Sequence, residues 1–236
     1  MNVLAIGNSF SQDATRYLYQ IAKKQGISNF HVTNLYIGGC PLFIHFKNMH
    51  EDNYAYALEV NGTNTGYSMA IKEALLSRKW DYVTLQQVSN LSPDYDTYEP
   101  YLTELVAYIR KYAPKAKIFI HETWAYEKDS QRLLSLNFKT PEEMYEKVHE
   151  AYLEALKHAD GIIPSGTLFM NMLHAGVEKI HRDTFHATCG LGRYALGLLW
   201  LHTLTGADIT ANDFDDFDEP ISENEVALAK KLVMEL

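Results

Sequence analysis

The chain has 236 residues, 47% of them hydrophobic, which is enough to build one large domain around an apolar core. Its 30 acidic and 21 basic residues give a formal net charge of −9, and no run of basic residues is longer than two. This balance disfavours electrostatic binding of nucleic acid or of an anionic membrane surface.

The sequence also bears on location. No apolar run approaches the roughly 20 residues of a membrane-spanning helix, and residues 1–10 lack the pattern of a signal peptide. Cys40 and Cys189 are far apart in the sequence, which is not the pattern of a disulfide framework. We therefore expect a cytoplasmic protein as the sequence is written, or an extracytoplasmic one if a leader ahead of Met1 has been removed.

Strand-like apolar runs alternate with amphipathic helical segments along the chain, a pattern typical of βαβ units. The predicted strands are residues 2–6, 30–37, 81–86, 116–122 and 160–164. The predicted helices are one that ends near Gly26 and others at 68–78, 98–112, 141–158 and 190–204. This order predicts an α/β fold, a three-layer α/β/α sandwich with a five-stranded, mostly parallel sheet and a site at the carboxyl ends of the strands.

Residues 51–67 do not follow this alternation. They carry turn signals at Asn61-Gly62 and at Gly66. We expect a hairpin or a lid-like insertion there, within one domain that spans residues 1–236.

Polar residues follow the first strand in the segment Gly7-Asn8-Ser9-Phe10. A Ser at a strand-to-helix turn projects its hydroxyl above the sheet edge, where the free amides of the helix start can stabilise an anion. The same Ser can instead cap the first helix. Ser9 is therefore a candidate nucleophile, with a cap as the alternative.

Two further segments lie at predicted strand ends. In "IGGCPLFIH" (37–45), the amide of Gly38 or Gly39 can face a developing oxyanion, or the pair can serve only as a tight turn. In "HRDTFHATCG" (181–190), Asp183 can orient one nitrogen of His186 and leave the other free to take a proton from an alcohol. A simple ion pair or an Asp helix cap explains the second spacing equally well.

Taken in order, these segments resemble those of the SGNH (GDSL-like) hydrolases. The likeness covers "GNSF" near the N-terminus, a Gly after the second strand, a polar block after the third and Asp183-x-x-His186. The segments "GNSFS" and "LQQxS" are similar to those of a poorly characterised bacterial branch. The resemblance implies the flavodoxin-like three-layer fold of these hydrolases and the hydrolysis of esters of lipids, acylated sugars or small alcohols.

The resemblance also implies a role for single residues. Ser9 matches the nucleophile of the catalytic triad, His186 its general base and Asp183 the carboxylate that orients the base. The backbone amides of Ser9 and Gly39 match two donors of the oxyanion hole.

A third oxyanion donor is normally an Asn in a Gly-x-Asn-Asp block, from which this chain departs. In "DYVTLQQVSN", Val88 stands where Gly is expected and Leu91 where Asp is expected. Asn90 keeps the register, whereas Gln87 is the donor if a carbohydrate-esterase variant of the block applies. Either side-chain amide can donate, so both stay candidates.

Other residues near the strand ends are candidates for contact with the substrate. In "HETWAY" (121–126), a carboxylate and an aromatic ring can bind a sugar, although a Trp at a strand end is also common in cores. The candidates are Gly38, His45, Gln86, Glu122 and Trp124.

No metal or cofactor is predicted, because metal-ligand spacings and glycine-rich nucleotide loops are absent from the sequence. We expect a serine esterase with a small-molecule or carbohydrate ester as its partner, and O-acetyl groups on carbohydrates as a candidate substrate. Two alternatives from other classes stay open. One is a non-catalytic carbohydrate- or small-ligand-binding module on the same fold, and the other is a flavodoxin-like protein that binds phosphate or nucleotide.

Overall fold

The computed structural model describes residues 1–236. Its strands are β1 (Asn2–Gly7), β2 (His31–Tyr36), β3 (Tyr56–Val60), β4 (Thr63–Met69), β5 (Tyr82–Leu85), β6 (Lys117–His121) and β7 (Gly161–Ile163). Its α-helices are α1 (Ser9–Thr15), α2 (Leu18–Lys24), α3 (Leu42–Glu51), α4 (Ile71–Ser77), α5 (Tyr101–Tyr112), α6 (Gln131–Ser135), α7 (Pro141–Ala155), α8 (Ser165–His174), α9 (Leu191–Thr205) and α10 (Glu223–Met234). None of these helices has the length and apolar character needed to cross a membrane.

The strands form one sheet in the order β4-β3-β2-β1-β5-β6-β7. β2, β1, β5, β6 and β7 run parallel, as the alternation of strands and helices predicts. From β1 the chain first moves to β2 on one side and later to β5 on the other. The boundary between β1 and β5 is therefore the point where the strand order reverses, and open α/β sheets bind their ligands at such points.

The sheet has seven strands instead of the five predicted. β3 and β4 form a hairpin, and β3 pairs antiparallel with β2, so the hairpin extends the sheet at that edge. The sequence of β4, "TNTGYSM", is polar and almost wholly exposed. It therefore lacks the apolar alternation from which a strand can be predicted, and its polar character suits an edge strand.

The turn of this hairpin lies away from the carboxyl ends of the parallel strands. Asn61 and Gly62 have φ angles of 53° and 81°, as in two-residue hairpin turns. The Asn61 side chain accepts a hydrogen bond of 3.1 Å from the backbone of Val32, near the start of β2. A Cβ on Gly62 would lie 2.1 Å from the carbonyl oxygen of Arg16. The turn at Asn61 and Gly62 therefore does not cover the carboxyl ends of the strands.

Helices cover both faces of the sheet. On one face α9 contacts α1, α2, α8 and α10. On the other face α3 packs against α5, and residues of α3, α5 and α7 line one small apolar space. α9 is buried around most of its circumference because neighbouring helices cover it. This burial explains why its sequence, "LGRYALGLLWLHTLT", is apolar on several sides instead of along one stripe.

Candidate active site

A cleft of about 390 Å³ opens where β1, β2 and β5 end, at the point where the strand order reverses. Its walls come from these three strand ends and the loops after them, and from residues 126–132 and 182–186. A larger groove of about 1120 Å³ lies between residues 210–221 and α10. No histidine lines that groove, and it shares no residue with the cleft.

Ser9 is the first residue of α1 and lines the cleft. The residue that caps this helix is Asn8, whose side-chain oxygen accepts a hydrogen bond of 3.1 Å from the backbone N–H of Phe10. The hydroxyl of Ser9 is instead 2.8 Å from Nε2 of His186. The structure therefore rejects the interpretation of Ser9 as a helix cap.

His186 lies between Ser9 and Asp183. Its Nδ1 is 2.7 Å from one carboxylate oxygen of Asp183, and its backbone N–H donates to the other at 3.0 Å. Partial burial opposes ionisation, but the hydrogen bonds from His186 lower the pKa of Asp183 below its usual value. A carboxylate at Nδ1 holds the proton there and leaves Nε2 free to accept the proton of Ser9.

The loop that carries Asp183 and His186, residues 181–187, makes a tight turn. His181 and Ala187 form an antiparallel bridge across its base. Between them Thr184 has a φ of 78°, a left-handed conformation that is rare for a β-branched residue. This turn brings Asp183 and His186 to face one another.

A buried carboxylate connects the loop to the helix of Ser9. Asp13 of α1 is fully buried, and both its oxygens accept hydrogen bonds of 2.9 Å from Nη1 of Arg182. Arg193 of α9 donates to the same carboxylate at 2.9 Å. Because Asp13 lies one turn after Ser9 and Arg182 directly precedes Asp183, this ion pair sets the position of the base relative to the hydroxyl.

A second buried chain of hydrogen bonds holds Asn8. Burial lowers the pKa of His121 to about 3, so this imidazole is neutral at physiological pH. Since Gln86 Oε1 can only accept, Nδ1 of His121 donates to it at 2.9 Å, and Nε2 accepts from the hydroxyl of Ser165 at 2.9 Å. Gln86 then donates to Asn8 at 2.7 Å, and Asn8 donates to the carbonyl of Cys40 at 3.1 Å. Asn8 thus joins the loops after β1 and β2.

Free donors face the cleft near the hydroxyl. The backbone amides of Ser9 and Gly39 have no acceptor within the protein. Gly38 and Gly39 both line the cleft, and Gly39 adopts a φ of 62°, which a glycine reaches without strain. The side chain of Asn90 is exposed, lines the cleft and makes no hydrogen bond. These three groups have the chemistry of an oxyanion hole.

Gln87, the other candidate for the third donor, is placed elsewhere. It is fully buried and does not line the cleft. Its side-chain oxygen accepts from the backbone of Leu42 at 3.0 Å and of Val88 at 2.9 Å, and its nitrogen donates to Thr97 at 3.0 and 3.2 Å. With all these positions occupied, Gln87 anchors the loop and cannot serve as an oxyanion donor.

The expectation of a sugar-binding rim formed by Glu122 and Trp124 is corrected by the structure. Both side chains are fully buried, because the chain after β6 runs inward beneath α8. Glu122 accepts hydrogen bonds from Thr167 and lies 2.8 Å from Nδ1 of His149. Trp124 stacks on Phe10 with ring centres 3.9 Å apart, so it supports the helix of Ser9 from below.

His45 and Gln86 are also placed outside the cleft. His45 is fully buried, with Nδ1 2.8 Å from the hydroxyl of Tyr56, and burial lowers its pKa to about 3. Gln86 belongs to the hydrogen-bond chain that holds Asn8. Neither side chain can contact a substrate, so of the five proposed substrate contacts only Gly38 lines the cleft.

Several residues of the cleft carry no prediction from the sequence. They are Gln12, Tyr36, Arg132, Arg182 and Phe185, whereas Tyr126 belongs to the predicted rim segment 121–126. Arg182 and Phe185 stand within "HRDTFH", so their closeness to Asp183 and His186 is a usable signal. Arg132 lies on the short helix α6, far from any motif, and no sequence signal marks it.

The residues around the cleft include no metal centre. No group of three or more His, Cys, Asp or Glu side chains in the structure is arranged to hold a metal ion.

Comparison with known proteins identifies the family. The model of DUF4886, a domain of unknown function, matches residues 2–235. A crystal structure of a DUF4886 family protein from Bacteroides uniformis is 34% identical in sequence and aligns with a TM-score of 0.91, over 100% of this chain and 93% of that one. The chain belongs to the DUF4886 family. No curated protein matches the sequence.

Other structures share the DUF4886 fold at low sequence identity. A protein from Slackia heliotrinireducens, provisionally described as an SGNH hydrolase, is 22% identical and aligns with a TM-score of 0.63, over 86% of this chain and 98% of that one. A catalytic mutant of an acetylxylan esterase from Geobacillus stearothermophilus is 13% identical, with a TM-score of 0.53 over 86% and 94% of the two chains. The fold of this DUF4886 protein is that of the SGNH hydrolases.

Proposed function

We propose that this protein is a serine esterase that hydrolyses carboxylic esters with Ser9, His186 and Asp183. Two consecutive contacts carry the proposal. The Ser9 hydroxyl lies 2.8 Å from Nε2 of His186, and Nδ1 of the same imidazole lies 2.7 Å from the carboxylate of Asp183. This relay ends in a cleft that also holds free amide donors.

The reaction proceeds in two halves. In the first, Nε2 of His186 takes the proton of Ser9 while the serine oxygen attacks the ester carbonyl. The amides of Ser9 and Gly39 and the side chain of Asn90 stabilise the oxyanion. His186 then gives its proton to the departing alcohol, which leaves an acyl-serine.

In the second half, His186 takes a proton from a water molecule that attacks the acyl-serine. The same donors stabilise the second oxyanion, and the returning proton restores the Ser9 hydroxyl as the carboxylic acid leaves. Asp183 does not react; it holds the imidazole in the required tautomer and stabilises its positive charge.

Short acyl groups, and O-acetyl groups on carbohydrates in particular, are the proposed substrates. The cleft of about 390 Å³ suits a small ester, and the half-buried Tyr36 and Phe185 offer aromatic surface for a sugar ring. An acetylxylan esterase has the same fold, which is compatible with this substrate class.

The test is acetate release from p-nitrophenyl acetate and from a panel of acetylated sugars. Wild type is compared with Ser9→Ala and with Ser68→Ala, a matched control on the exposed edge strand β4. We expect turnover by wild type and by the control, and loss of turnover in Ser9→Ala. Unchanged turnover in Ser9→Ala would rule out Ser9 as the nucleophile, and binding of an acetylated sugar without turnover by wild type would favour a binding module.

A further inference from the structure

The charge of the cleft is opposite to that of the whole chain. The protein has a formal net charge of −9, yet no Asp or Glu lines the cleft, whereas Arg132 and Arg182 both do. Asp183, beside the cleft, directs both its oxygens at His186. The side chains that line the cleft therefore carry positive charge and no carboxylate.

The two arginines differ in what their guanidinium groups do. The charge of Arg182 is paired, through Nη1, with the buried carboxylate of Asp13. Arg132 is exposed, and its guanidinium forms no hydrogen bond or ion pair with any group of the protein. Its donors are therefore all available to a ligand, and a guanidinium matches a carboxylate by two parallel hydrogen bonds.

Arg132 is held at the cleft by aromatic contacts. Its guanidinium carbon lies 3.9 Å from the ring centre of Phe185, a cation–π contact. The ring centre of Phe185 is in turn 3.8 Å from that of His186. The unpaired cation therefore lies one side chain away from the imidazole.

The position of Arg132 indicates which part of an ester it would meet. His186 must deliver its proton to the departing alcohol oxygen, so the alcohol part lies against the imidazole. Beyond the imidazole, on the side of Phe185, lies Arg132.

We propose that Arg132 binds a carboxylate on the alcohol part of the substrate, so that the preferred substrates are short-chain esters of hydroxy acids or acidic sugars. This inference rests on the proposed esterase function. The bond that breaks is the ester bond, and the carboxylate bound by Arg132 takes no part in the reaction.

The test uses two substrates that differ in one charge, 4-acetoxybenzoate and its methyl ester. The readout is the ratio of kcat/KM for the charged ester to that for the neutral ester, so intrinsic reactivity cancels between protein variants. We expect this ratio to fall about fivefold or more in Arg132→Gln and further in Arg132→Glu. In wild type the ratio should also fall as salt is added, because the ion pair is screened.

Arg78→Gln is the matched control. Arg78 is likewise an exposed arginine over an aromatic ring, that of Trp80. It precedes β5, at the amino ends of the strands, whereas the cleft lies at their carboxyl ends. Arg78→Gln should leave the ratio of the two kcat/KM values unchanged. The same ratio in wild type and Arg132→Gln would overturn the proposal. If wild type preferred 4-nitrophenyl hydrogen succinate, whose carboxylate is on the acyl part, to 4-acetoxybenzoate, the assignment of the bound carboxylate to the alcohol part would be overturned.

Failure of the esterase proposal gives a different result, namely no turnover of either ester by wild type. In that case binding of 4-hydroxybenzoate is measured by calorimetry with wild type and Arg132→Gln. Binding that is lost in Arg132→Gln would support a carboxylate site without catalysis. Equal binding, or none, would overturn the carboxylate site as well.

Discussion

Asn90 and Gln87 carry the same side-chain amide three residues apart, and their surroundings separate their roles. We expect Asn90→Ala to lower kcat by about 10²- to 10³-fold, because one oxyanion donor is removed while no hydrogen bond within the protein is lost. Gln87→Ala should instead destabilise the fold by about 1–3 kcal/mol, since buried backbone amides lose their acceptor. Ester kinetics and urea unfolding of both variants measure this contrast; equal losses of turnover at equal stability would contradict it.

The sequence predicts the triad better than the rest of the site. Ser9, Asp183 and His186 each stand in a short segment, and the order of the segments is distinctive, so the resemblance brings together residues 177 positions apart. Trp124 and His45 show the limit of this reasoning. A position after a strand predicts which edge of the sheet a residue lies at, but not whether its side chain points into the cleft or beneath a helix.

At the level of elements, the ion pair of Asp13 joins α1 to the loop of Asp183 and His186. We expect Asp13→Asn to destabilise the protein by about 3–5 kcal/mol, because Arg182 and Arg193 lose a buried partner. Turnover should fall in parallel as the loop moves relative to Ser9. Urea unfolding and hydrogen exchange of residues 181–188 measure the two effects.

Asp160→Asn is the control for this prediction. Asp160 pairs with Arg110 at 2.7 Å, but both side chains are about a third or more exposed, so the ion pair itself contributes about 1 kcal/mol or less. An Asp13→Asn protein as stable and as active as Asp160→Asn would show that the buried pair does not position the loop.

The hairpin β3–β4 depends on one close contact. Gly62→Ala places a Cβ 2.1 Å from a backbone oxygen of Arg16, and this clash adds to the cost of the left-handed conformation. Gly66→Ala carries only the conformational cost of about 1–2 kcal/mol, because nothing lies within 4 Å of its added Cβ. Thermal unfolding should therefore show a lower Tm for Gly62→Ala than for Gly66→Ala, and a reversed order would contradict the packing described.

Elements with a clear apolar pattern could be predicted. The five parallel strands match the predicted runs, and α5, α7 and α9 lie within or close to 98–112, 141–158 and 190–204. The sequence did not separate α1 from α2, which meet at Arg16-Tyr17 without a Gly or Pro to mark the break. β4 could be expected only through the hairpin alternative for residues 51–67, because tertiary pairing with β3, and not its own sequence pattern, makes it a strand.

The stability of the whole molecule should depend on pH through its buried histidines. Burial lowers the pKa values of His45 and His121 to about 3 and of His181 to about 4. The unfolded chain therefore takes up protons below its ordinary pKa of about 6.5 while the folded protein does not, and stability falls as the pH decreases. At pH 5 each fully buried histidine lowers the free energy of unfolding by about 2 kcal/mol.

One histidine acts in the opposite direction. A hydrogen bond with Glu122 raises the pKa of His149, so its contribution is present below the unfolded pKa and is lost as the pH rises. Between pH 6.5 and 5, the loss of stability from the three histidines with lowered pKa values is larger than the gain from His149.

Urea unfolding at pH 7.5 and pH 5 measures the net effect on stability. His45→Asn should reduce the slope of stability against pH by about one proton. Stability that is constant or rises toward pH 5 would contradict the prediction.

The central claim is that Ser9 is a nucleophile activated by His186. The most direct measurement is reaction of the intact protein with a fluorophosphonate, followed by peptide mass spectrometry to locate the adduct. We predict a single adduct on Ser9, absent in Ser9→Ala, strongly reduced in His186→Ala and retained in Ser68→Ala. An unmodified Ser9, or an adduct on another residue that persists in Ser9→Ala, would contradict the claim.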